Sequence, residues 1–137
     1  LDHFHVDFGF NGVRFDGRPG GDGKLDFGRV LSVESYVQSK GVRSGVIFNS
    51  TLDDNFKAAG GETANREIYM RTLRYFNEDV IAGGKANDII IQSWDPYPDL
   101  TGPEDRKYTF FNIARDIIIT ERPKSASGDP RRSKKLK

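Results

Sequence analysis

The chain has 137 residues, 36% of them apolar, 30% charged and 12% aromatic, and it contains no cysteine. That length supports one domain with a modest core, and the missing thiol excludes a disulfide scaffold, a thiolate metal site and a cysteine nucleophile. The net charge of +1 conceals an asymmetry: residues 121–137 carry seven Lys/Arg against Glu121 and Asp129, leaving residues 1–120 with 14 basic and 18 acidic side chains, a net of −4 that does not suit a nucleic-acid surface.

In chain order, His3 to Phe10 is short, aromatic and β-branched, and reads as a strand with His3, His5 and Asp7 on one face and Phe4, Val6 and Phe8 on the other. A loop from Asn11 to Lys24 follows, rich in glycine, and Asp26 is the expected N-cap of a helix reaching about Lys40. Phe27, Val30, Val33 and Val37 give it one apolar stripe, and Gly41 ends it.

The second unit repeats this order. Val42 to Ser50, with the run Gly45-Val46-Ile47-Phe48, suits a strand covered on both faces. The loop from Thr51 to Glu62 leads to Thr63 as N-cap of a helix to about Ala82, with Ile68, Tyr69, Leu73, Phe76 and Val80 inward and Gly83-Gly84 as its stop. The third strand, Asp88 to Trp94, is apolar and turns polar at its end, where Asp95-Pro96-Tyr97-Pro98 breaks it. A last helix is expected from about Asp105 to Thr120, with Phe110, Phe111, Ala114, Ile117 and Ile118 inward. Residues 121–137, with two prolines and seven cationic side chains, read as a basic disordered tail.

Apolar strands joined by helices predict parallel pairing, hence an α/β domain over residues 1–120 built of parallel βα repeats. In such folds chemistry gathers at the C-terminal ends of the strands. Here those ends hold Asp7, then Asn49, Ser50 and Thr51, then Gln92, Ser93, Trp94 and Asp95. Three βα units make a partial (β/α)8 barrel, since a closed one needs roughly 200 residues and eight strands. The expectation is completion by a homo-oligomer or by a missing N-terminal half, in keeping with a chain that begins at Leu1 and reads as a piece of something longer. There is no run of apolar residues long enough for a membrane span and no leader pattern, so a soluble chain with neither membrane nor nucleic-acid partners is expected.

Ser39-Lys40-Gly41 leading into Val42 to Ser50, and Asp88 to Pro98 followed by Pro103-Glu104 and Tyr108-Thr109-Phe110, resemble the closing βα units of TIM-barrel glycoside hydrolases and glycosidase-like proteins. The resemblance spans Asp2 to about Ile118 and implies the sixth to eighth units of the barrel, with Trp94 at the place where an aromatic residue often floors a sugar subsite. It also implies a departure. Retaining enzymes of the large barrel clan carry a Glu nucleophile at the end of the seventh strand, where this chain has Asn49-Ser50-Thr51.

Hydrolysis of a glycoside needs two carboxyl groups, separated by about 5 Å for retention or 6.5–9.5 Å for inversion. Asp7, at a strand end beside apolar neighbours, has the setting of a general acid, and Asp54 in the next loop is its expected partner, although Asp in such a loop also serves turns and N-caps. His5, Asn49, Gln92, Trp94 and Tyr97 are the expected sugar contacts, with indole stacking on the CH face of a ring. No cofactor and no metal is required by this reading, which is a glycoside hydrolase acting on a carbohydrate through carboxylate acid/base chemistry. Two others stand beside it: a non-catalytic carbohydrate-binding or scaffold fragment, and a metal-dependent hydrolase using His3, His5 and Asp7, spaced about 7 Å apart along a strand face. Gly17 to Gly23 lacks the spacing of phosphate loops, and neither Ser50 nor Ser93 lies in a nucleophile elbow. Asn49-Ser50-Thr51 fits the glycosylation pattern only by chance.

Overall fold

The computed structural model describes residues 1–7, 27–99, 102 and 106–121. The elements are β1 (His3–Val6), α1 (Gly28–Ser39), β2 (Arg43–Ser50), α2 (Asp54–Ala59), α3 (Gly61–Ala82), β3 (Asp88–Ser93) and α4 (Phe110–Glu121). The glycine-rich loop, the Asp26 cap, Glu104 and the basic tail all lie outside the described residues.

The three strands form one parallel sheet in the order β1-β2-β3, so the expected polarity holds and the three strand ends lie along one edge. No barrel is closed by these strands. Register places His5 beside Gly45 and Gly45 beside Asp88, and further along Asn49 beside Gln92 and Ser50 beside Ser93. Because side chains alternate across a sheet, Val6, Val46, Phe48, Ile89 and Ile91 share one face, and these are the strand residues in the main core. Phe27, Val30, Tyr75, Phe76, Ile113 and Ile117 from the helical side close over them. Phe48 meets Tyr75 and Phe76 edge-on, with centroids 4.9 and 5.4 Å apart, an aromatic geometry that adds to the area buried.

The expectation that β2 is covered on both faces is corrected: α1, α3 and α4 all contribute to the core on this one side. On the other face Ile47 and Ile90 are half-buried and no described helix packs there. Consecutive parallel strands added in one direction send every crossover to the same side, so among the described residues no helix covers the second face.

Two helices hold most of their expected inward residues in or against the core (Ile68, Tyr69, Leu73 and Phe76; Phe110 and Ile117) but differ at the edge of the stripe. In α3 the buried set includes Ala64, Ile68, Thr72, Tyr75, Phe76 and Asp79, while Val80 is exposed. In α4 the buried residues are Asn112, Ile113 and Ile117, and Phe111 and Ile118 face out. In both, apolar residues outnumber the places on one stripe, so periodicity alone cannot choose which of two adjacent rows packs inward.

The loop after β2 also holds the short helix α2, capped by Asp53, whose carboxylate accepts from the Phe56 N–H at 3.4 Å. Gly60 has φ +60° and turns the chain directly into α3. Thr63 is therefore already helical and is not the cap. A left-handed residue at this junction favours glycine, which has no Cβ to clash. A second apolar cluster, Leu52, Ala64 and Ile68 with Phe56 and Tyr97, fastens α2 to α3 and to the loop after β3.

Candidate functional site

Of the strand-end groups that the sequence singles out, Asp7, Asn49 and Gln92 share the face on which no described helix packs, whereas Ser50 and Ser93 lie on the helical face, where the Ser50 and Thr72 hydroxyls are 2.9 Å apart. Asp7, one residue past β1, accepts a hydrogen bond from Asn49 Nδ2. The Asn49 side chain is fully buried, and its Oδ1 has no hydrogen-bond partner, an uncommon state for a buried amide oxygen. Gln92 is its neighbour in register, half-buried on the same face. Asp7 itself is exposed, which corrects the expectation of a carboxyl shielded by apolar neighbours.

His5 is placed by a missing side chain. Its imidazole lies over Gly45 so closely that a Cβ there would overlap the ring, which explains why β2 carries glycine in mid-strand. At the opposite end of the same face, Arg43 Nη2 donates to Asp88 Oδ1 at 2.8 Å and His3 Nε2 lies 3.9 Å from Asp88 Oδ2. The hydrogen bond from Arg43 holds the Asp88 carboxyl below its ordinary range, and the two histidines add to this. The three groups of the metal reading thus go to different partners, His3 to Asp88, His5 to Gly45 and Asp7 to Asn49. Among the described residues no cluster of three metal-binding side chains forms.

The rim above the strand ends is tied together by partnerships that the sequence does not indicate, Asp95 among them although the sequence marks it as a strand-end group. The Asp95 side chain is nearly buried; its Oδ2 accepts from the Leu52 N–H at 2.6 Å, and its Oδ1 pairs with Lys57 Nζ at 2.9 Å. This joins the loops after β2 and β3. Arg71 of α3 does similar work beneath them, donating to the Thr51 carbonyl at 2.6 Å and pairing with Asp53 at 3.1 Å and Glu67 at 2.7 Å. Asn65 and Asp99 exchange two hydrogen bonds, of 2.7 and 3.1 Å. Apart from Glu67 and Arg71, four residues apart on α3, none of these partnerships has a sequence signal, because each partner stands on another element.

Comparison with known proteins finds no matching family model, no matching curated protein and no matching solved structure. The function therefore rests on the geometry.

Trp94 is 62% exposed at the end of β3, open to solvent as a stacking surface must be. Tyr97 instead packs against the Leu52 cluster, its hydroxyl close to Gly60, and forms part of the rim wall. Asp54 is exposed in the first turn of α2, where an acidic side chain suits the helix dipole, and no described contact joins it to Asp7. Between the start of α3 and the loop after β3 lies a separate open cavity of about 520 Å³, lined by Gly61, Glu62, Asn65, Asp99, Arg106 and Lys107. Its charges are mixed and it contains none of the expected site residues.

Proposed function

We propose that the strand-end face of this chain is a carbohydrate site of the glycoside-hydrolase type. The observation that carries this reading is the row formed by Asp7, Asn49 and Gln92 beside an exposed Trp94. A carboxylate, an amide and an open indole are what a sugar requires, hydroxyls being met by acceptors and donors and a CH face by an aromatic plane. Asn49 is buried within this row and holds the Asp7 carboxylate in place through its Nδ2, so its part in the site is positioning. Hydrolysis assigns Asp7 as one carboxyl and Asp54 as the other, within a barrel completed by further copies of the chain or by additional βα units. His5, behind Asp7 on the same face, lines the floor.

A second reading, sugar binding without turnover, is favoured by one observation: Asp54 stands on the first turn of α2 without a described link to Asp7. One experiment separates the two. Trp94 is the sole tryptophan, so its fluorescence reports on the site alone. Titration with soluble oligosaccharides is expected to shift its emission, and Asn49→Ala to weaken that binding at least about tenfold, which corresponds to the loss of one buried hydrogen-bonding group. Turnover of an aryl glycoside that is lost in both Asp7→Asn and Asp54→Asn supports hydrolysis; binding with no turnover supports the second reading. Emission that no oligosaccharide moves, together with no turnover, overturns both.

A further inference from the structure

Glu34 of α1 and Asp79 of α3 are 3% and 2% exposed, and each keeps one carboxyl oxygen, Oε1 and Oδ1, without a hydrogen-bond partner. Buried carboxyl groups ordinarily find a cation or several donors, and among the described residues no ion pair reaches either of these. Both are engaged by the same stretch of chain, the link from α3 to β3. The Gly84 N–H donates to the Asp79 carbonyl at 2.9 Å, and the Gly84 Cα lies so near the Asp79 carboxyl that any Cβ would overlap it. The next residue, Lys85, donates its N–H to Glu34 Oε2 at 3.4 Å, and its carbonyl accepts from Gln38 Nε2 at 2.9 Å. Beyond it, the Asn87 N–H donates to the Ser44 carbonyl at 2.7 Å, at the point where β3 joins the sheet.

We propose that Glu34 and Asp79 form a proton-dependent clasp on the α3–β3 link, closed while the pair holds a proton and loosened when both carboxyls are charged. A protonated carboxyl is a donor as well as an acceptor, whereas two buried anions repel each other and have too few donors around them. Among the described residues no positive charge offsets that repulsion. Tyr75, on α3, and Asp7, beyond β1, bring no positive charge, and Lys85, on the link itself, is exposed. Burial, aided by Glu34, pushes the Asp79 carboxyl up to about 7, and burial also raises Glu34, against the Lys85 N–H, which favours the charged form and pulls it down. The clasp therefore changes state near neutrality. An acid raised on folding binds its proton more tightly in the folded chain, so its contribution is present in acid and is lost as pH rises from the ordinary value of 3.8 to about 7. This is the reverse of the usual carboxylate. The loosened link leads into β3, the edge strand that carries Gln92 and ends at Trp94.

The test uses the full chain and two readouts. Urea unfolding midpoints between pH 5 and 8.5 are expected to fall with rising pH in the wild type and to stay nearly level in Asp79→Asn. Amide exchange, corrected for its intrinsic pH dependence, is expected to accelerate about tenfold more at Gly84 and Lys85 than at Val46 as the pair loses its proton. Exchange requires only the wild-type chain and decides the matter even where the variant does not fold. Parallel slopes in the two proteins, or protection at Gly84 and Lys85 that changes no more than at Val46, overturn the proposal.

Discussion

The two faces of the sheet are built from alternate residues of the same three strands and are put to opposite uses. On the helical face Val46 and Phe48 of β2 meet Tyr75, Phe76, Ile113 and Ile117 in one apolar cluster. On the other, Arg43, Gly45 and Asn49 of the same strand meet Asp88, His5, Asp7 and Gln92. One face fixes the position of the backbone, and the other displays polar groups from a backbone already held in place. That division is the usual one between scaffold and site, compressed here into a two-residue period.

The comparison is most directly broken by truncating neighbours in sequence. Phe48 is 1% exposed and touches two aromatic rings, so Phe48→Ala should cost about 3–5 kcal/mol through lost transfer energy and a cavity. Ile47, one residue earlier but on the open face and half-buried, should cost less than about 2 kcal/mol on the same change. Urea unfolding of both variants measures the asymmetry. Equal losses would mean that the open face is as thickly packed as the helical one.

A smaller effect tests how the open face positions its groups. A methyl at Gly45 would overlap the His5 ring and also approach the Asp88 carbonyl at 3.1 Å. Gly45→Ala is therefore expected to cost about 1–3 kcal/mol. Because the obstruction is mainly a side chain, His5→Ala in the same molecule should recover most of that loss, a coupling read from the double-mutant cycle. Strictly additive losses would show that His5 does not lie against β2, and its place on the floor of the site would fall with that contact.

Strand direction and the rim were legible because they follow from local pattern: the apolar runs Gly45-Val46-Ile47-Phe48 and Ile89-Ile90-Ile91, joined by helices, point to parallel pairing, and their polar ends mark its C-terminal edge. The placing of His3, His5 and Asp7 on one face was legible for the same reason. What escaped depends on partners distant in sequence. Asp95 reads as a strand breaker until Leu52 and Lys57 are seen against it. Glu34 reads as the polar edge of an apolar stripe until the α3–β3 link is seen to cover it. Asp53 and Asp54 are adjacent and alike, and only the folded loop makes the first the cap of α2, paired with Arg71, and the second a first-turn residue.

The smallest effect is expected at the far end of the open face. Arg43 and Asp88 form its clearest ion pair, 2.8 Å apart but open to solvent, so screening should leave it little influence on stability. Its signature lies in pH dependence. Asp88 is held below its ordinary 3.8 by the hydrogen bond from Arg43, so its contribution is present above that value and is lost as pH falls through the lowered one. The urea midpoints of wild type and Arg43→Gln should therefore differ slightly at pH 6, converge toward pH 2.5, and converge at pH 6 when salt is raised. This slope is opposite in sign to that of Asp79 and lies in a separate range, so a single pH series distinguishes an exposed carboxylate paired on the open face from a buried acid beneath the helices. A loss in Arg43→Gln comparable with that of Phe48→Ala would mean that the polar face also carries the stability of the fold, and the division of labour between the two faces would have to be abandoned.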